Sequence, residues 1–134
     1  MKKTVMVVDD SQLSRNFLLS KLDTFYDVEL IESESAKNAL STLDNLFKNN
    51  QKVSLILTDI NMPEVSGIEL IQMLREDDRF KNIPVVIIST KVGTDSLSDK
   101  DFLKTVDVIV KPIERQKLDE VLEKYLGKAI IKGI

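Results

Sequence analysis

Among its 134 residues the chain has no cysteine and no histidine. Without cysteine there is no disulfide, no thiolate nucleophile and no thiolate zinc site. Without histidine there is no Ser-His or Cys-His catalytic pair and no imidazole to bind a metal. Chemistry here must rest on carboxylates, amines, hydroxyls and any metal they recruit. No basic block stands out, and a net charge of -3 gives no electrostatic reason to bind nucleic acid or an anionic membrane. There is no apolar run long enough to cross a bilayer and no leading stretch of signal-peptide type. Membrane insertion is therefore not expected, and a cytoplasmic location is the default.

What remains is an ordinary globular composition, 43% hydrophobic and 31% charged. A chain of this length is one domain, able to bury about two-thirds of the surface it exposes when unfolded. Five short apolar runs punctuate it: 4–8, 28–31, 53–58, 85–88 and 107–110. Runs so short and so rich in Val, Ile and Leu read as strands buried on both faces of a parallel sheet. Between them lie helical patterns. Ser11 is a good N-cap for a helix carrying Leu13, Phe17, Leu18, Leu22 and Phe25. Ser33-Glu34-Ser35 opens a second helix with Ala36, Ala39, Leu40, Leu43 and Phe47 on one stripe, and Ile68, Ile71 and Leu74 mark a third. The segment from Gly93 to Thr105 has few apolar anchors and predicts a short, weakly held fourth helix. Leu118, Val121, Leu122 and Tyr125 mark the fifth.

A strand-helix alternation repeated five times, with right-handed crossovers, predicts an α/β fold: a doubly wound parallel sheet with helices on both faces. The arrangement expected for five strands is the flavodoxin-like order 2-1-3-4-5. Residues 1–126 form this domain and 127–134 a short C-terminal extension. The tail reads as a continuation of the last helix, the beginning of a linker or a docking segment.

Four charged residues sit just beyond strand ends: Asp9 and Asp10 after the first, Asp59 after the third and Lys111 after the fifth. In an open α/β sheet that edge faces the ligand crevice, and the 2-1-3-4-5 order brings Asp9, Asp10 and Asp59 together. Carboxylates about 4 Å apart repel by roughly 4 kcal/mol per pair at an effective dielectric near 20. A cation must hold them. Hard oxygen donors without nitrogen or sulfur suit Mg²⁺, or Mn²⁺ as its alternative, and leave positions open for water and phosphate. With the charge offset, one carboxylate can attack phosphorus. Ser89 and Lys111, from the last two strand ends, are placed to bind phosphoryl oxygens. Taken singly, each Asp is more often a cap or a turn residue. Their joint occurrence with Ser89 and Lys111 carries the argument.

Asp9-Asp10, the run Asp59-Ile60-Asn61-Met62-Pro63 closed by Gly67, Ser89, and Lys111-Pro112 together resemble the receiver domain of two-component response regulators. The resemblance implies that Asp59 is the phosphoacceptor, taking its phosphoryl group from a sensor histidine kinase. It implies Mg²⁺ held by Asp10, Asp59 and the backbone carbonyl of Asn61, with Asp9 acting through a metal-bound water. Ser89 is then the switch hydroxyl, Lys111 the partner of the phosphate, and Lys111-Pro112 a cis peptide. Such a protein assists its own phosphorylation and dephosphorylation and is not a turnover enzyme. Its downstream protein target would dock on the fourth helix, fifth strand and fifth helix. Three positions depart from the usual pattern. Val108 stands where an aromatic is frequent, Thr90 where Ala or Gly is frequent, and Lys91 where the family tunes dephosphorylation. Thr90 and Lys91 predict slow self-dephosphorylation.

Two enzyme-like or carrier-like rivals fit less well. A haloacid-dehalogenase-type phosphatase needs a second Asp two residues after the first, where this chain has Ser11. A flavodoxin-type electron carrier needs a Ser/Thr/Gly phosphate loop after the first strand, which is missing. The remaining alternative is a phosphorylation-independent, receiver-like interaction module.

Overall fold

The computed structural model describes residues 2–90 and 106–133. The weakly held helix expected from Gly93 to Thr105 lies outside those residues, as does Lys91. In chain order the elements are β1 (Lys3–Val8), α1 (Gln12–Phe25), β2 (Val28–Ser33), α2 (Ala36–Lys48), β3 (Leu55–Thr58), α3 (Gly67–Arg75), β4 (Val85–Ser89), β5 (Asp107–Val110) and α4 (Arg115–Leu126). The strands form one parallel sheet in the order β2-β1-β3-β4-β5. This is the predicted architecture.

Alternation along the strands divides the core into two layers. Val5 and Val7 of β1, with Leu55, Leu57, Val86 and Ile88, pack under α1 and α4. Met6 and Val8, with Ile56 and Ile87, pack under α2 and α3. The central strands have no wet face, which is why their sequences read as continuous apolar runs.

Serines start three of the helices. Ser11 and Ser35 accept from the N–H three residues on, and Ser66 forms a capping box with Glu69. The buried stripe of α1 differs from the one expected. Leu18 and Leu22 are buried as expected, but Leu13 and Phe17 are 83% and 57% exposed and Arg15 turns inward in their place. Both arrangements satisfy helical spacing. The inward position goes to Arg15 because its guanidinium reaches the buried Asp9 carbonyl and the Glu32 carboxylate at the sheet edge.

The tail does not continue α4. Gly127 at φ 90° ends the helix, a single 3-10 turn follows over Lys128–Ile130, and Ile131 bridges antiparallel to Tyr26. Asp27 N–H donates to the Ile130 carbonyl at 2.7 Å and Lys132 N–H to the Phe25 carbonyl at 2.9 Å. Ile130 and Ile131 are buried in the α1–α4 layer.

Candidate functional site

β1 and β3 are neighbours with Val8 opposite Thr58, and Asp59 N–H donates to the Val8 carbonyl at 3.0 Å. The residues that follow are therefore side by side at the C-terminal edge of the sheet. Carboxylate oxygens of Asp9, Asp10 and Asp59 lie within 4.8 Å of one another. Asp9 is buried, Asp59 half-buried and Asp10 exposed.

Each of the two inner carboxylates is fixed by a backbone donor. Ser11 N–H donates to Asp9 Oδ1 at 2.9 Å and Ile60 N–H to Asp59 Oδ1 at 2.8 Å. Burial pushes the Asp59 carboxyl above the usual range, and the charges of Asp9 and Asp10 add to that push. The Ile60 amide and the Lys111 ammonium oppose it.

The main chain at Asp59 is held from two sides. Thr58 Oγ1 donates to the Asp59 carbonyl oxygen at 3.0 Å. The loop then returns so closely that a Cβ on Gly67 would stand 2.0 Å from that same oxygen. Gly67 N–H donates to the Ile60 carbonyl at 2.7 Å, which closes the loop and starts α3. Asn61 and Pro63 lie exposed within the loop. Glu64, beside Pro63, takes a left-handed conformation at φ 68°.

β4 and β5 supply the opposite wall. Ser89 pairs with Val110, and Lys111 N–H donates to the Ser89 carbonyl at 2.7 Å. Ser89 is buried, with Thr90 exposed just beyond it. The Lys111-Pro112 peptide is cis, as the resemblance implied. Lys111 Nζ lies 3.9 Å from Asp9 Oδ2, an ion pair too long to be a hydrogen bond. Among the described residues, Nζ donates a hydrogen bond to Ser14 Oγ at 2.8 Å.

Two contributors were missed from the sequence. Arg15 Nη1 donates to the Asp9 carbonyl at 2.7 Å and Nε to Glu32 Oε1 at 2.9 Å, tying the acidic loop to β2. A signal existed: Arg15, Leu18 and Leu22 are spaced as one inward stripe. Ser14 had none, because its contact joins residues far apart in the chain. A cleft near the opposite ends of the strands, lined by Phe47, Phe80, Arg79 and Lys52, contains none of the acidic residues.

Three mutually repelling carboxylates with no nitrogen or sulfur donor fit a small hard cation of the Mg²⁺ type. A lysine stands across that acid edge, 3.9 Å from Asp9 Oδ2. The family model of the response regulator receiver domain matches residues 5–123. This chain belongs to that family.

The receiver is 34% identical to the chemotaxis protein CheY1 of Helicobacter pylori over 123 residues, 92% of this chain and 96% of that protein. Among solved structures, a response regulator receiver protein from Pseudomonas putida is 29% identical with a TM-score of 0.70, covering 92% of this chain and 98% of that one. The chemotaxis protein CheY4 of Vibrio cholerae, at 22% identity, shares the fold with a TM-score of 0.76, covering 94% and 100%. Receiver domains are signalling modules of two-component systems and not turnover enzymes. Among the described residues no helix is long and apolar enough to cross a membrane.

Proposed function

We propose that this receiver accepts a phosphoryl group on Asp59 from the phosphohistidine of a sensor histidine kinase, and that the modified form binds a downstream protein differently. The observation that carries the reading is the convergence of Asp9, Asp10 and Asp59 within 4.8 Å. An Asp59 carboxylate oxygen attacks phosphorus, the P–N bond to the donor imidazole breaks, and the ring nitrogen leaves with the electron pair. Asp10, Asp59 and the Asn61 carbonyl would hold Mg²⁺ (or Mn²⁺), Asp9 would assist through water, and the ion would offset the negative charge of the carboxylates and the phosphoryl oxygens.

Phosphorylation adds about two negative charges and three acceptor oxygens at one point. Lys111 and the Ser89 hydroxyl are drawn to it from the ends of β5 and β4. Moving from 1% to 99% active takes roughly 5.5 kcal/mol. A few charge-assisted hydrogen bonds at about 1.5–3 kcal/mol each supply that. The response is read on the face expected from the sequence, of which β5 and α4 (the fifth helix of that expectation) lie within the described residues. A net charge of -3 favours a protein target over nucleic acid. Thr90 and Lys91 directly follow Ser89 in the sequence, where larger side chains are expected to slow hydrolysis, so the phosphorylated form should decay slowly. Thr90→Ala and Lys91→Ala both leaving the decay rate unchanged would sink that part.

Acetyl phosphate and Mg²⁺ should give one acid-stable, base-labile phosphoryl group by intact mass, absent in Asp59→Ala. No adduct with any donor, together with failure to bind beryllium fluoride, would favour the interaction-module reading instead.

A further inference from the structure

We propose that Ser14 is a positioning residue that presets the Lys111 ammonium at the carboxylate pocket before the phosphoryl group arrives. This rests on the receiver reading and deepens it.

A lysine tip on a flexible four-carbon stem has no fixed place of its own. Here it is fixed by a neutral hydroxyl, since Nζ donates to Ser14 Oγ at 2.8 Å while Asp9 Oδ2 stands at 3.9 Å. An ammonium has three donors, and among the described residues only Ser14 takes one of them, which leaves two for incoming oxygens. A carboxylate in that role would compete with the phosphoryl group far more strongly than a hydroxyl does.

Ser14 is available for a local reason. It is the third residue of α1, the position where a Glu or Gln reaches back to the cap residue in a capping box. α3 does this with Glu69. In α1 the Ser11 side chain accepts from Ser14 N–H at 3.2 Å, and the Ser14 hydroxyl is left to face Lys111. The same turn holds Asp9 through Ser11 N–H at 2.9 Å. One helical turn thus sets both an acid and the lysine.

The test uses the full chain as wild type, Ser14→Ala and Ser14→Thr, with Asp59→Asn and Lys111→Arg as controls. Phosphorylation by acetyl phosphate and Mg²⁺ is timed by intact mass. Independently, without donor or metal, the slowly exchanging ammonium signal that Lys111→Arg removes is followed by ¹⁵N NMR. Ser14→Ala should lose that signal and label roughly tenfold more slowly, the scale of one charge-assisted hydrogen bond. Ser14→Thr should retain both. Wild-type rate in Ser14→Ala overturns the proposal whether or not the signal persists. Equal slowing in Ser14→Thr overturns it too, by assigning the effect to the helix start. If the wild type takes no phosphoryl group on Asp59, the receiver reading falls and takes the proposal with it. If it does, and Ser14→Ala is unaffected, only the proposal falls.

Discussion

Asp59 binds a proton more tightly in the folded protein than in the unfolded chain, because burial and the neighbouring acids disfavour its charge. Its ionised form therefore opposes folding at every pH above the folded pKa. The opposition disappears below the unfolded value of about 3.9, where both states are protonated. Asp59→Asn should raise the thermal midpoint at pH 7 by a few degrees, at about 4 °C per kcal/mol for this size. The gain should shrink toward zero as pH falls through the carboxylate range. A midpoint difference independent of pH would contradict this account. Gly67 is the second sensitive residue. An added Cβ at 2.0 Å from the Asp59 carbonyl oxygen must push backbone against backbone. Gly67→Ala should lower stability by roughly 2–3 kcal/mol in denaturant unfolding and slow labelling of Asp59. The glycine was visible in the sequence as the end of a loop, but the contact that demands it was not.

At the scale of elements, α1 is where pattern and structure part. Leu13 and Phe17 fit a helical stripe as well as Leu18 and Leu22 do, and spacing alone cannot rank two stripes that overlap at Leu18 and Leu22. The decision belongs to Arg15, whose guanidinium finds the Asp9 carbonyl and Glu32 at the sheet edge. Arg15→Met keeps the stem and leaves that buried carbonyl unpaired. It should cost about 1–3 kcal/mol in denaturant unfolding and weaken Mg²⁺ affinity by calorimetry, since the loop carrying Asp9 and Asp10 loses its tie. The strands were easier to read, because burial on both faces writes the same apolar signal at every position. Asp9, Asp10, Asp59 and Lys111 were legible for a related reason: a charge directly after such a run marks the sheet edge.

For the molecule as a whole, the doubly wound parallel sheet was legible in the repeated strand-helix alternation and its order was the usual one for five such strands, whereas the path of the last residues was not legible. A few isoleucines among lysines carry no period that separates a helix from a folded-back segment. The structure resolves this with Gly127 and the Tyr26–Ile131 bridge. The Tyr26 hydroxyl bonds Asp119 of α4, and the Arg115 guanidinium stacks 3.9 Å from the Phe25 ring, so tail, α1 and α4 close one seam. Ile130→Ala with Ile131→Ala should lower stability by about 2–4 kcal/mol, measured by denaturant unfolding, and leave labelling of Asp59 intact.

The backbone donors to the two inner carboxylates have a practical consequence. A protein without histidine or tryptophan offers few native spectroscopic handles on a change of charge. Ser11 and Ile60, whose amide protons point at Asp9 Oδ1 and Asp59 Oδ1, supply two. When a carboxylate is protonated, esterified or screened, the proton pointed at it becomes less polarised and its resonance moves upfield. Two amide peaks, followed without any label on a side chain, therefore report individually on the charge of Asp9 and of Asp59.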